Sequence, residues 1–181
     1  GGKQIGWENS YVNMYYDAQG ILVNGNKNTS TDTFIFDAMG KRIGDTFLGT
    51  DDQLGTDGIL LSHREMMGSG QPILDENGKN IGHTETNSDI QYDANHAILS
   101  GTTTESVNHN LWDQSGQWIG SQGHSITKQL GMDGVMQGRT ESDFTSTPRF
   151  NGNGDQVGST ENRVDTYYDV NGNQTGRNES E

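Results

Sequence analysis

Apolar residues in this chain stand singly or in short runs between polar residues and glycine, and they recur at fixed offsets. The clearest pattern is an aromatic residue or Leu, then Asp, two residues, Gly, two more, an aliphatic residue and Gly. It reads Phe36-Asp37-Ala38-Met39-Gly40-Lys41-Arg42-Ile43-Gly44, then Leu74-Asp75-Glu76-Asn77-Gly78-Lys79-Asn80-Ile81-Gly82, then Trp112-Asp113-Gln114-Ser115-Gly116-Gln117-Trp118-Ile119-Gly120. Weaker copies start at Tyr16, Tyr92, Phe150 and Tyr168. Short apolar runs punctuated by Asp and Gly predict strands joined by tight turns.

The turn type follows from the residues. Asp bonds its own turn backbone, and Gly three residues later takes positive φ without a Cβ clash. Together they suit a type I turn closed by a G1 bulge, so each motif predicts a hairpin tip. The implied register sets Asp37 opposite Lys41, Asp75 opposite Lys79 and Trp112 opposite Trp118. One step further it sets Ile35 against Ile43, Ile73 against Ile81 and Leu111 against Ile119. Leu54-Gly55-Thr56-Asp57-Gly58-Ile59 and Leu130-Gly131-Met132-Asp133-Gly134-Val135 predict tighter Asp-Gly turns.

The anchors are then Asp17, Asp37, Asp57, Asp75, Asp93, Asp113, Asp133, Asn151 and Asp169, in units of about 18–20 residues. The steps repeat over a superrepeat of about 76 residues, which also relates Pro72 to Pro148, the only two prolines, and Gln53-Leu54-Gly55 to Gln129-Leu130-Gly131. The expected organisation is one continuous array: a partial repeat over 1–16, superrepeat copies over 17–92 and 93–168, and the start of a third copy over 169–181. Gly2-Lys3-Gln4-Ile5-Gly6 matches the second half of a motif, so the array is expected to open inside a hairpin. Its two ends then either belong to a longer array or complete one another.

Tyr168-Asp169-Val170-Asn171-Gly172-Asn173-Gln174-Thr175 resembles the tyrosine–aspartate (YD) repeats of Rhs-type bacterial surface and toxin-shell proteins, and similar hairpin units occur in choline-binding cell-wall repeats. The resemblance implies an extracellular array of β-hairpins. The Gly after the aliphatic residue, the alternating step and the missing Arg-Leu-Thr tail depart from the YD pattern. Neither a toxin shell nor choline binding carries over, and no catalytic residue maps.

Composition sharpens this picture. Only 28% of the 181 residues are apolar, so one thick core is not expected. The formal charge of −14 repels nucleic acid and anionic membranes. No run approaches the roughly 18 apolar residues of a membrane helix, so membrane insertion is not expected. The absence of cysteine removes disulfides and thiolate chemistry. Asn28, Asn173 and Asn178 begin Asn-x-Ser/Thr triplets, candidate glycosylation sites.

Near-equivalent copies of one Asp are what a turn needs and an active site does not, so no enzyme is expected. Asn151, Asn153 and Asp155, like Asp169, Asn171 and Asn173, place oxygen side chains at alternate positions as calcium loops do, and calcium at the first of these is the sole cofactor alternative. His63, His83, His96, His109 and His124 show no paired metal spacing and read as solvated. The aromatic positions Tyr16, Phe36, Tyr92, Trp112, Trp118 and Tyr168 are either core or a surface for sugar rings or a partner chain.

The expected fold is all-β: tandem hairpins stacked as a twisted antiparallel meander or β-solenoid, with about two short strands per unit, a closed barrel being the alternative. The expected function is an extracellular or cell-surface scaffold, a fibre, sheath or adhesin subunit that self-associates through strand edges. A multivalent glycan-binding module is the alternative.

Overall fold

The computed structural model describes residues 4–181, so the half-hairpin expected at Gly2 to Gly6 lies partly outside the described residues. The chain forms β1 (Gly6–Tyr16), β2 (Leu22–Phe36), β3 (Arg42–Leu54), β4 (Leu60–Leu74), β5 (Asn80–Asp93), β6 (Ile98–Trp112), β7 (Trp118–Leu130), β8 (Met136–Phe150), β9 (Gln156–Asp169) and β10 (Gln174–Ser180). Each strand pairs with the next in the chain, in the order β1 to β10. The fold is therefore an all-β antiparallel meander and an open sheet. An 18–20-residue unit supplies one long strand and one turn, not two short strands, because each strand serves two hairpins.

The turns keep the chemistry expected of them. At Asp37 the backbone N–H donates to the Lys41 carbonyl at 2.9 Å and the Gly40 N–H donates back to the Asp37 carbonyl at 2.9 Å. Asp37 Oδ1 accepts the N–H groups of Met39 and Lys41 at 2.9 and 2.8 Å. The same closure occurs at Asp17, Asp75, Asp93, Asp113, Asn151 and Asp169. The turns placed at Asp57 and Asp133 are not tighter Asp-Gly turns. They begin two residues earlier, at Gly55 and Gly131, and have the same five-residue closure, to Ile59 and Val135. There the acid moves to the third turn position, where Asp57 Oδ1 still accepts the Ile59 N–H at 3.0 Å. Turn starts at Asp17, Gly55, Asp93, Gly131 and Asp169, and at Asp37, Asp75, Asp113 and Asn151, thus recur every 38 residues. The 76-residue superrepeat is two structural repeats whose turns differ in sequence.

The register beyond the tip differs from expectation. Phe36 faces Arg42, but Ile35 faces Gly44, so Ile43 is an extra residue in a bulge. Val23, Leu61 and Val157 are extra at the equivalent positions. A bulge sets two residues against one and shifts the pairing, which is why Ile35 and Ile43 do not meet. At two glycines of the equivalent position, Gly82 and Gly120, the neighbouring strand leaves no room for a side chain. A Cβ at Gly82 would fall on the Asn108 carbonyl oxygen, and one at Gly120 on that of Ser146.

By compactness the chain divides into two units. One runs to Gly70 and takes in Thr86–Thr103 and Gln129–Met136, and the other comprises Gln71–Glu85, Thr104–Lys128 and Gln137–Glu181. Among the described residues no apolar side chain in either unit is fully buried. Cohesion therefore rests on the backbone ladder, the turns and cross-strand pairs, each such pair contributing roughly 0.2–1 kcal/mol. The hydroxyls of Thr29 and Thr50 meet at 2.6 Å and those of Ser69 and Thr86 at 2.7 Å in the first unit, and those of Thr104 and Thr127 at 3.0 Å in the second.

Candidate functional site

In the first unit β3, β4 and β5 bring a basic residue, two acids and a tyrosine onto one face. Asp52 and His63 are register partners. Two residues along β4 is Glu65, which strand alternation returns to the same side. His63 Nδ1 lies 2.5 Å from Asp52 Oδ1 and its Nε2 lies 3.2 Å from Glu65 Oε1. The Tyr92 hydroxyl donates to Glu65 Oε2 at 3.2 Å, and the Tyr92 ring centroid lies 5.8 Å from that of His63. His96 completes the group, 5.8 Å from His63 and 6.3 Å from Tyr92. It occupies the turn position that sister hairpins give to Gly, with φ +61°.

His63 is 13% exposed, not solvated. Burial draws its pKa down, but hydrogen bonds to Asp52 and Glu65 and their charge outweigh this and hold it above the ordinary value. Burial raises the Tyr92 pKa, and Glu65 raises it further. The protonated imidazole can donate from both ring nitrogens to the two carboxylates. Its chemistry is that of a clamp across β3 and β4.

The second unit repeats this arrangement. Arg139 faces Tyr168 across β8 and β9, with the guanidinium carbon 4.1 Å from the ring centroid. Arg139 Nε donates to Glu141 Oε1 at 2.9 Å. Burial raises the Tyr168 pKa, and the charge of Glu141 adds to this while Arg139 opposes it. Both clusters read basic–x–Glu on one strand with Tyr on the next. On β10 the basic–x–Glu half recurs, with Arg177 Nη2 2.7 Å from Glu179 Oε1.

The expected aromatic positions do not form one ladder. In the first unit Tyr16 and Tyr92 share the His63 face by register, whereas Phe36 lies on the other, 6.5 Å edge-on from Phe34. Successive hairpin tips point in opposite directions, so the residue before each Asp alternates in face. In the second unit Tyr168 stacks with Arg139, while Trp112 and Trp118 flank the Asp113 turn. Lys79 sits over one face of the Trp112 ring, its Nζ 3.7 Å from the ring centroid.

Of the calcium candidates, Asn151 Oδ1 accepts the N–H groups of Asn153 and Asp155, and Asn151 Nδ2 donates to Asp155 Oδ2 at 3.0 Å. Among the described residues no three His, Asp or Glu side chains gather as a metal site. Asn28 lies half-buried in β2, Asn173 donates to Asp169 Oδ2 in its turn, and Asn178 is exposed on β10.

The second unit also holds a shallow groove of about 490 Å³ lined by His109, Gln122, His124, Asp143, Asn162 and Val164, in which His124 Nδ1 is 2.8 Å from Asp143 Oδ1. The basic–x–Glu–Tyr clusters were not read from the sequence. Their trace there is the spacing His63-x-Glu65, Arg139-x-Glu141 and Arg177-x-Glu179. No family model matches this chain, and no curated protein matches it.

Proposed function

We propose that this chain is a structural repeat module of an extracellular fibre, sheath or adhesin, and that it assembles through the backbone edges of β1 and β10. The observation that carries this reading is the combination of two terminal strands in the sheet order with a sheet in which, among the described residues, no apolar side chain is fully buried. A strand added at an edge makes the same backbone bonds and cross-strand pairs that hold the sheet itself, and uncovered edges template such addition. The composition and the three Asn-x-Ser/Thr triplets accord with an extracellular setting. Negative-stain electron microscopy and light scattering over protein concentration test it: filaments or ribbons that persist at high salt support it, and a dispersed monomer at every concentration overturns it.

A multivalent glycan-binding reading draws on exposed rings, Tyr16 at 61% and Trp112 at 38%, since aromatic faces stack on sugar rings. Glycan-array binding that is lost in Trp112→Ala and Trp118→Ala would favour it over the scaffold.

A further inference from the structure

One pairing rule runs through the even-to-odd strand pairs of this chain. Gly25 on β2 faces Leu54 on β3, and Arg139 on β8 faces Tyr168 on β9. His63 on β4 meets Tyr92 on β5 at the same position of the 38-residue repeat, and Gly101 and Leu130 occupy it on β6 and β7. Glycine goes with leucine and a basic residue goes with tyrosine. The basic residue is each time followed two positions on by a Glu that meets it, Glu65 or Glu141.

Each edge of the sheet carries one half of this arrangement. At the next equivalent position β10 has Arg177, already paired with Glu179, and both side chains are more than half exposed. In its 76-residue phase the chain places Gly25 and Gly101 there, the positions that go with Leu54 and Leu130. Arg177 calls for a tyrosine instead. On the other edge β1 ends in Tyr16, equivalent to Tyr92 and Tyr168 and 61% exposed.

The backbone agrees. Ile5 accepts from the Phe34 N–H and Asp17 donates to Ile21, so odd residues of β1 bond to β2 while Met14 and Tyr16 point their N–H and C=O off the edge. The Asp169 closure and the pairing of Tyr167 with Gly176 leave Arg177 and Glu179 pointing off the β10 edge in the same way.

Resting on the edge-assembly reading, we infer that a second copy of this chain docks its β1 antiparallel on β10, with Tyr16 opposite Arg177 and Met14 opposite Glu179. The guanidinium lies on the incoming tyrosine ring as Arg139 lies on Tyr168, and Glu179 holds it there as Glu141 holds Arg139. Arg177→Gly, the residue present at 25 and 101, is expected to weaken association about three- to tenfold, the worth of an exposed to partly desolvated cation–π contact.

The chain has no cysteine, which makes disulfide trapping clean. Antiparallel partners of this kind sit about 5.5 Å apart at Cα, within disulfide reach. Tyr16→Cys protein is mixed with Arg177→Cys protein, each first shown to keep its far-UV spectrum and melting point, and the mixture is oxidised and mapped by mass spectrometry. A 16–177 disulfide between copies is expected, and none when Tyr15→Cys, which faces the other side, replaces Tyr16→Cys. Association in sedimentation without the 16–177 bond overturns this register and leaves edge assembly standing. A bond that forms within one chain in the double variant, but never between copies, overturns the second copy as occupant. A monomer at every concentration overturns both.

Discussion

His63 Nδ1 and Asp52 Oδ1 lie 2.5 Å apart across β3 and β4, and Glu65 takes the other ring nitrogen. Despite its burial, the imidazole has a folded-state pKa above the ordinary 6.5. A raised folded pKa contributes stability that is fully present below the unfolded value and is lost as pH rises through the folded one. The groups facing His63 are Asp52, Glu65, Tyr92 and His96, with Lys27 opposite Asp52 on β2. Native protein is therefore expected to exceed His63→Gln in melting temperature at pH 5.5, and the gap is expected to narrow above the raised pKa. Paired thermal melts across pH check this, and a gap that widens with pH contradicts the clamp.

Two glycines of one hairpin separate backbone conformation from backbone crowding. Gly78 has φ +77° in the turn and open space around a would-be Cβ, so Gly78→Ala costs only the left-handed penalty, roughly 1–2 kcal/mol. Gly82→Ala drives a Cβ onto the Asn108 carbonyl oxygen of β6 and must push two strands apart. Gly82→Ala is expected to be clearly the more destabilising in urea melts. Equal costs would contradict the strand spacing at β5 and β6.

Lys79 of one turn sits over one face of Trp112, which precedes the next turn on the same side. A double-mutant cycle on Lys79→Ala and Trp112→Ala is expected to return a coupling of about 0.5–1 kcal/mol. Trp112 fluorescence should also respond to Lys79→Ala. Zero coupling would show that the ring and the ammonium do not meet in solution.

What was legible in the sequence was local. The Asp37 turn needs only its own five residues, and its side-chain and backbone bonds follow from them. The bulge at Ile43 was not legible, because it answers to the pairing of β3 with β2 and not to its own residues. The turn start at Gly55 was not legible either, because Asp57 carries the conspicuous chemistry while the closure forms two residues earlier. The His63 cluster draws residues from β3, β4, β5 and a turn, none unusual alone. Once the register is known, the His/Arg-x-Glu spacing with Tyr one strand later becomes a readable signal, and it reaches the β10 edge.

The central claim, assembly through strand edges, is tested most directly by sedimentation velocity of the native chain beside Met14→Pro and Asn13→Pro. Met14 points its N–H off the β1 edge, so proline there removes a docking donor and no bond to β2, whereas Asn13 is bonded to Asn26 inside the sheet. The account expects native protein to grow with concentration and to keep doing so at high salt, since backbone pairing holds copies of a −14 chain together against their repulsion. Met14→Pro is expected to remain monomeric with an unchanged far-UV spectrum, and Asn13→Pro to lower the melting temperature. Native protein that stays monomeric throughout, or Met14→Pro that assembles as well as native, would contradict the account.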